Sequence, residues 1–367
     1  MSRILTRKDV EAAVKGGSIY ASGGGGWVEH GLQIGGAAVA IGQPELVPVS
    51  EVPNDAVIVT TTAIGAPAGT TDWQMLGVDY VKAVQLLQEA IDRPIFGVMT
   101  PQNGMSSSIN GWLPAALLGL KVIDATGDIR AHPTGDMGAM GLASRKDLQT
   151  VQTLVGGKRE TGSYVELVVR GTVAKTSAIL RTAADQAGGF AASARLPIDA
   201  AYVKQHGAIG GITSALRLGE AIVKAEESGS DVLKAILSHT GGTLIGRGTV
   251  TAKDVAYTNA AFDIGRIEVG TGRERVTLHV MNEHMAVDDA DGRRIASYPD
   301  VITTLTLGGH PLSAGQVQVG AEIVVLRIEK SLLPMSSSVT DPTVYPPVEK
   351  ALGINLADYA LDGQSAA

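Results

Sequence analysis

The sequence predicts an α/β plus β-rich protein, with an N-terminal layered α/β domain and a C-terminal, mostly-β domain carrying a few helices. Three observations predict it. Strand and helix signals alternate up to about residue 150, the pattern of a sheet covered by helices. The second half turns to short strands separated by Gly and Asp. The composition has 46 Gly but only three Phe and three Trp. Its core must therefore come from aliphatic side chains, with backbones brought close at many tight turns.

"TRKDVEAAVKGG" (6–17) opens with Thr6 and Asp9 in capping positions and predicts a short helix ending at Gly16 and Gly17. "SIYAS" (18–22) reads as a strand running into Gly23–Gly26, and "WVEHGLQIGGAAVAIG" (27–42) as a helix. "AVIVTTTAIGAP" (56–67) is a buried strand, and "VDYVKAVQLLQEAI" (78–91) is an amphipathic helix stopped before Pro94. "PIFGVMT" (94–100) is a strand, Asn110 precedes the helix "GWLPAALLGL" (111–120), and "KVIDAT" (121–126) is the next strand. Beyond it "SYVELVVRGTVAKTSAILRT" (163–182) alternates as strands, and helices follow at 201–227 and 231–239. Strands then dominate: 243–258, 262–287, 300–307 and 321–333. The expected domains are 1–158 and 159–335, each with its own core, joined around Gly156–Ser163. An extended tail is expected over 336–367.

A net charge of −7 with scattered basic residues argues against nucleic acid and against an anionic membrane surface. The absence of cysteine excludes disulfides, zinc–thiolate sites, iron–sulfur clusters and thiol nucleophiles. No apolar run approaches a membrane span, and no charged-then-apolar leader opens the chain. A cytoplasmic protein is expected.

Several segments carry chemistry. Gly23–Gly26 is either a tight turn or a cradle of backbone N–H groups for an anion or a ring carbonyl. Neither a Rossmann fingerprint nor a Walker motif is present, so no nucleotide is expected. Of seven histidines, His30 and His132 stand out, each in a glycine-rich stretch beside a carboxylate, Glu29 and Asp128. "VMNEHMAV" (280–287) sets Asn282, Glu283 and His284 inside an apolar strand, which would cost several kcal/mol without partners. The segment "DATGDIRAHPTGDMG" (124–138) ends a strand with Asp124 and has Arg130 as its one cation. Asp124 and Arg130 are either a loop staple or an anchor for a polar ring.

These segments together resemble the S-methyl thiohydantoin desulfurase family, whose genes often accompany hydantoinase and oxoprolinase subunits. The resemblance spans nearly the whole chain: "ASGGGG" (21–26), "SSINGWLPAALLGLKVIDATGDIRAHP" (107–133), the glycine-rich strand pair at 242–269, and the stretch from Asn282 to Ile328 with Pro299, Asp300 and Gly320. Asn110, Asp124, Gly127, Arg130 and Pro133 agree with the family pattern. Met105, Thr126 and Thr134 stand where it has carboxylates, Ser107 and Ser108 where it has paired glycines, and His132 where it has an aromatic.

The resemblance implies hydrolysis of a C–S or C–N bond in a five-membered cyclic ureide or thiohydantoin, by a divergent member with its own substrate. Asp124 or His132 would then be the base. Gly24, Gly25, Gly26, Glu29, Asn110, Arg130, Asn282 and Glu283 would bind substrate, the glycine amides meeting developing negative charge. The site would lie in the crevice between the domains. The family leaves room for a divalent metal, whose ligands are not identified, but the lost carboxylates would hold a hard cation poorly and favour a neutral or anionic ligand. A homo-oligomer is expected, and a hydantoinase/oxoprolinase-type partner is an additional expectation. The rival reading is a non-catalytic binding or partner subunit of such an assembly.

Overall fold

The computed structural model describes residues 2–66, 73–258 and 261–362. In chain order its strands are β1 (Arg3–Ile4), β2 (Glu45–Pro48), β3 (Val57–Gly65), β4 (Ile95–Thr100), β5 (Lys121–Thr126), β6 (Thr150–Gly156), β7 (Val165–Gly171), β8 (Phe190–Asp199), β9 (Ala208–Ile209), β10 (Thr243–Thr258), β11 (Phe262–Val269), β12 (Val276–Met281), β13 (Glu283–Asp288), β14 (Arg294–Ser297), β15 (Val301–Thr306), β16 (Pro311–Leu312) and β17 (Glu322–Ile328). The helices are α1 (Arg7–Tyr20), α2 (Val28–Ile41), α3 (Gly77–Glu89), α4 (Trp112–Leu118), α5 (Val173–Gln186), α6 (Ala200–His206), α7 (Gly211–Glu227), α8 (Val232–Thr240), α9 (Pro346–Leu352) and α10 (Ala357–Leu361).

Two sheets result, as the α/β plus β-rich expectation requires. The first is mixed, ordered β1-β2-β5-β4-β3-β8-β6-β7, with β9 added to β5. Its β2, β5, β4 and β3 run parallel, so their C-terminal ends open together on one side. The second is antiparallel throughout, ordered β14-β13-β12-β11-β10-β17-β15-β16.

The expected change of core at Gly156–Ser163 does not occur. That segment is the turn of a hairpin: β6 pairs with β7, and β8 pairs with both β6 and β3. One sheet thus crosses it, and the second sheet begins only at Thr243. The cores are also shared. Ile19 and Tyr20 of α1, Ile129, and apolar residues of α7 and α8 pack with Val301, Leu305, Val324 and Leu326 of the second sheet. The composition shift near residue 160 reflects a change from parallel to antiparallel pairing inside one sheet.

Three local expectations are corrected by tertiary packing. Gly16 and Gly17 do not end α1, and "SIY" continues it as helix. A Cβ on Gly16 would lie 1.9 Å from the Ala215 carbonyl oxygen, and one on Gly219 would lie 1.8 Å from that of Ala12. The glycines let α1 and α7 cross backbone to backbone, and that contact outweighs their poor helix propensity. The stretch after Gly171 is the helix α5, because Val173, Thr176, Leu180 and Ala184 are its buried face at helical spacing. Over residues 336–362 the chain is no extended tail; residues 363–367 of that expectation lie outside the described residues. Val344, Tyr345, Val348, Leu352 and Leu356 are buried against Met137, Met281, Met285 and Tyr298.

Tyr345 tests that packing. It is fully buried, lies edge-on to Tyr298 at 6.0 Å between ring centroids, and donates its hydroxyl to the Val339 carbonyl. Tyr345→Ala should cost about 3–5 kcal/mol in denaturant unfolding; a loss below about 0.5 kcal/mol would mark the segment as peripheral.

Candidate functional site

A cavity of about 120 Å³ lies where the C-terminal ends of the parallel strands meet the second sheet. Its walls are Gly23–Gly26, the end of β3 (Thr62–Gly65) with Ala66, Pro101 and Gln102 after β4, and the loop His132–Gly135. Ser177 and Arg181 enter from α5, Phe190 and Arg195 from β8, and Ser107 from the turn before α4. The second sheet contributes Asp263, Asn282 and Glu283, with Ser313–Gly315 at the rim.

The glycine run is shaped by what touches it. A Cβ on Gly24 would lie 2.1 Å from Glu283 Oε1, and one on Gly25 would lie 2.6 Å from the Gly104 Cα. Gly25 moreover has φ +72°. Its carbonyl accepts from the Ser106 and Ser107 amides at 2.9 and 3.2 Å, and its amide donates to the Glu283 carboxyl. The run therefore fixes Glu283 on one side and the Ser106–Ser107 turn on the other. It follows a helix, α1, and not the expected strand.

Glu283 is 3% exposed, and its Oε2 has no hydrogen-bond partner among the described residues. Desolvation pushes its carboxyl up to about 8, partly opposed by Arg130 and Arg181. At neutral pH it is mostly protonated, with an O–H to donate. Beside it the chain reverses at Asn282, which takes a left-handed φ of 56°. Asn282 exchanges hydrogen bonds with the Asp263 backbone, both 2.8 Å. His132 is buried and neutral, its imidazole held down to about 3 by desolvation, and its Nδ1 lacks a partner among the described residues. Thr134 Oγ1 and Asp136 Oδ1 are likewise unpartnered. Buried polar atoms left unpaired are uncommon, and here three of them, on Glu283, His132 and Thr134, belong to residues lining one cavity.

The expected site residues divide on this geometry. Gly24, Gly25, Gly26, His132, Asn282 and Glu283 line the cavity together. Asp124, Arg130, Asn110 and Glu29 do not. Asp124 faces a separate groove with Arg3, Arg217 and Glu220. It accepts from the Thr213 amide at 2.9 Å and the Thr213 hydroxyl at 2.6 Å. Thr213 is in the first turn of α7, whose N-cap is Gly210, so Asp124 supplies from β5 the cap that glycine lacks.

Arg130 does not pair with Asp124. Fully buried, it donates to the carbonyls of Ala131 (2.8 Å), Asp300 (2.7 Å) and His284 (3.1 Å). Asn110 is fully buried outside the cavity lining, and neither Nδ2 nor Oδ1 has a hydrogen-bond partner among the described residues. Glu29 is exposed on the first turn of α2. Of the three positions where the family pattern has carboxylates, only Thr134 reaches the cavity; Met105 and Thr126 are buried elsewhere.

Sequence reading missed Arg181 and Arg195. Neither belongs to a motif, and each comes to the cavity through the pairing of β8 with β3 and β6 and the packing of α5 upon it. No group of three or more His, Asp or Glu among the described residues is arranged to hold a metal ion. No helix among the described residues is long and apolar enough to cross a membrane.

Two family models match the chain in order, the S-Me-THD-like N-terminal domain over residues 8–160 and the S-Me-THD-like C-terminal domain over residues 172–335. A solved structure of a protein from Chromobacterium violaceum is similar in fold, with a TM-score of 0.70, 23% identity and 96% of each chain covered. No curated protein matches.

The state of Glu283 predicts a pH dependence of stability. Its carboxyl ionises near 4.5 in the ordinary case and near 8 in the fold. Between those values the unfolded chain releases a proton that the folded chain keeps, so stability is lost as pH rises and levels off above 8. The loss is on the order of a few kcal/mol. In thermal melts from pH 5 to 9, Glu283→Gln should flatten this decline and exceed the parent protein in stability at pH 9. A variant less stable at every pH would show that the carboxylate is ionised and paired.

Proposed function

Because the chain belongs to the S-Me-THD-like family, we propose that its cavity hydrolyses a C–S or C–N bond of a five-membered cyclic ureide or thiohydantoin-like small molecule. The observation that carries this reading is Glu283, a protonated carboxyl with a free Oε2 on the cavity wall beside a run of backbone amides. A cavity near 150 Å³ takes one benzene ring. The volume of about 120 Å³ therefore suits a single small ring and not a nucleotide.

For a C–S substrate the steps balance as follows. Water adds to the ring carbon that carries the thioether, and the C=N electron pair moves to the ring nitrogen. That nitrogen takes the proton from Glu283. The carboxylate so formed accepts one proton of the added water and passes it to the sulfur as the C–S bond breaks; the thiol leaves, the remaining hydroxyl proton returns to Glu283, and a ring carbonyl and the starting carboxyl result. A carboxyl near 8 suits both transfers, because its affinity for the proton is closer to that of the groups it exchanges with. His132, neutral and unpartnered at Nδ1, can orient the water; with the Gly24 amide given to the Ala21 carbonyl and that of Gly25 to Glu283, the Gly26 amide is the one of the run that can meet negative charge developing on the ring. The family leaves room for a divalent metal, yet the side chains present do not fit one. The cavity holds two guanidiniums, and the acids on its wall, Asp263 and Glu283, are raised toward the neutral form.

The rival reading of a non-catalytic partner subunit rested on lost carboxylates. Two of those three positions lie away from the cavity, which removes most of its support. Purified protein without a partner should turn over at least one member of a panel of hydantoins, S-methyl thiohydantoins and lactams. Its kcat/KM should fall as pH rises through about 8. Glu283→Gln should lower kcat by about 10²–10⁴-fold with the fold intact, whereas Asp124→Asn should leave it within about twofold, since Asp124 caps α7. Loss of activity in the Asp124 variant at unchanged melting temperature would return the catalytic role to that residue.

A further inference from the structure

We infer that Arg181 and Arg195 form an anion subsite in this cavity, and that the substrate carries a carboxylate bound there. The inference rests on reading the cavity as a substrate site, and it names a class of substrate within that reading.

Both guanidiniums line the cavity, and both are engaged only by neutral acceptors. Arg181 donates to the carbonyls of Pro133 at 2.7 Å and Ala261 at 3.0 Å, and lies over the Phe262 ring at 4.2 Å. Arg195 donates to Gln152 and, at 2.6 Å, to Ser177. Neither forms an ion pair among the described residues, although Arg195 is 4% exposed. Each guanidinium has five N–H donors, and the bonds named use two of them.

The neighbouring acids meet this charge only through space, Asp136 acting on Arg195 and Glu283 on Arg181 with no direct ion pair to either. Glu283 is protonated at neutral pH, and Asp136 and Asp263 are both raised by desolvation. Desolvation lowers both arginines to about 10, still fully cationic. Two desolvated cations without carboxylate partners are expensive to keep. Neutral acceptors hold them in position but do not neutralise them, and a ligand carboxylate would. Gly135 lets the loop His132–Gly135 lie against Arg195, since a Cβ there would meet the guanidinium at 2.3 Å, and so brings His132 and Arg195 to the same cavity.

The test compares hydantoin-5-acetic acid with its methyl ester, of nearly equal shape and without the charge, by calorimetric titration of the parent protein. Charge-assisted bonds to two guanidiniums should make the acid bind at least about tenfold more tightly than the ester. In Arg181→Gln and Arg195→Gln the affinity for the acid should fall to that for the ester, with folding checked by circular dichroism. If either variant is unfolded, the comparison in the parent protein still decides. Equal affinity for acid and ester, or binding of neither, overturns the subsite. Preference for the acid without turnover of any ring would leave the subsite standing and reject the hydrolase reading. Turnover without that preference would do the reverse.

Discussion

The buried guanidinium of Arg130 is the constraint on which the site depends. It sits in the segment after β5 and donates to carbonyls on both sides of the junction, Ala131 on its own loop and His284 and Asp300 on the second sheet. His132 is two residues along from it, and Glu283 is next to His284. One side chain therefore sets the distance between the two halves of the cavity. A buried cation is tolerable only when its donors are satisfied and counter-charge is near. Here Asp128 and Asp300 supply the charge without a direct ion pair to it. Asp128 accepts from the Tyr298 hydroxyl at 2.6 Å, and Asp300 pairs with Arg327 at 2.6 Å and accepts from Tyr359. Tyr359 belongs to α10, so the C-terminal helices belong to the same network.

Much of this was legible from the residues. Strands β3, β4 and β5 stand out as short apolar runs because they are buried on both faces, and helices α2 and α3 because each buries one face at helical spacing. The failures have a common cause. Gly16 and Gly17 look like a helix stop until α7 lies against them, and "GGKRET" looks like a linker until β7 folds back on β6. The first depends on a partner far along the chain, and the second on β8, which joins that hairpin to β3 and so to the first sheet. The C-terminal segment looked polar because its apolar residues, Val344, Tyr345, Val348, Leu352 and Leu356, are spaced too sparsely to stand out.

The site was legible in half. The glycine run, His132, Asn282 and Glu283 are each out of place in their local pattern, and such misfits do mark the cavity. Asp124 and Arg130 are misfits too, and both turned out to serve the fold. A buried polar residue at a strand end announces that it must be satisfied. Whether protein or ligand satisfies it is decided by neighbours the local sequence does not contain. Arg181 and Arg195 failed to register for the opposite reason. An arginine on an amphipathic helix or within a strand is ordinary, and only the packing of α5 beside β8 brings these two to the cavity.

The electrostatics of the cavity tie its two proposed functions together. Arg181 and Arg130 favour the ionised form of Glu283, and desolvation opposes them and wins. A ligand carboxylate placed on Arg181 would cancel the first of these supports and add a negative charge of its own. It would also displace water from the cavity and deepen the desolvation. All three effects act in one direction, holding the proton on Glu283 more firmly until charge begins to develop on the ring. An acid ligand would therefore arm the proton donor by binding, whereas a neutral analogue would leave the full field of Arg181 on Glu283 and a larger fraction of it ionised. The same two cations that choose the ligand would set the state of the group that reacts with it.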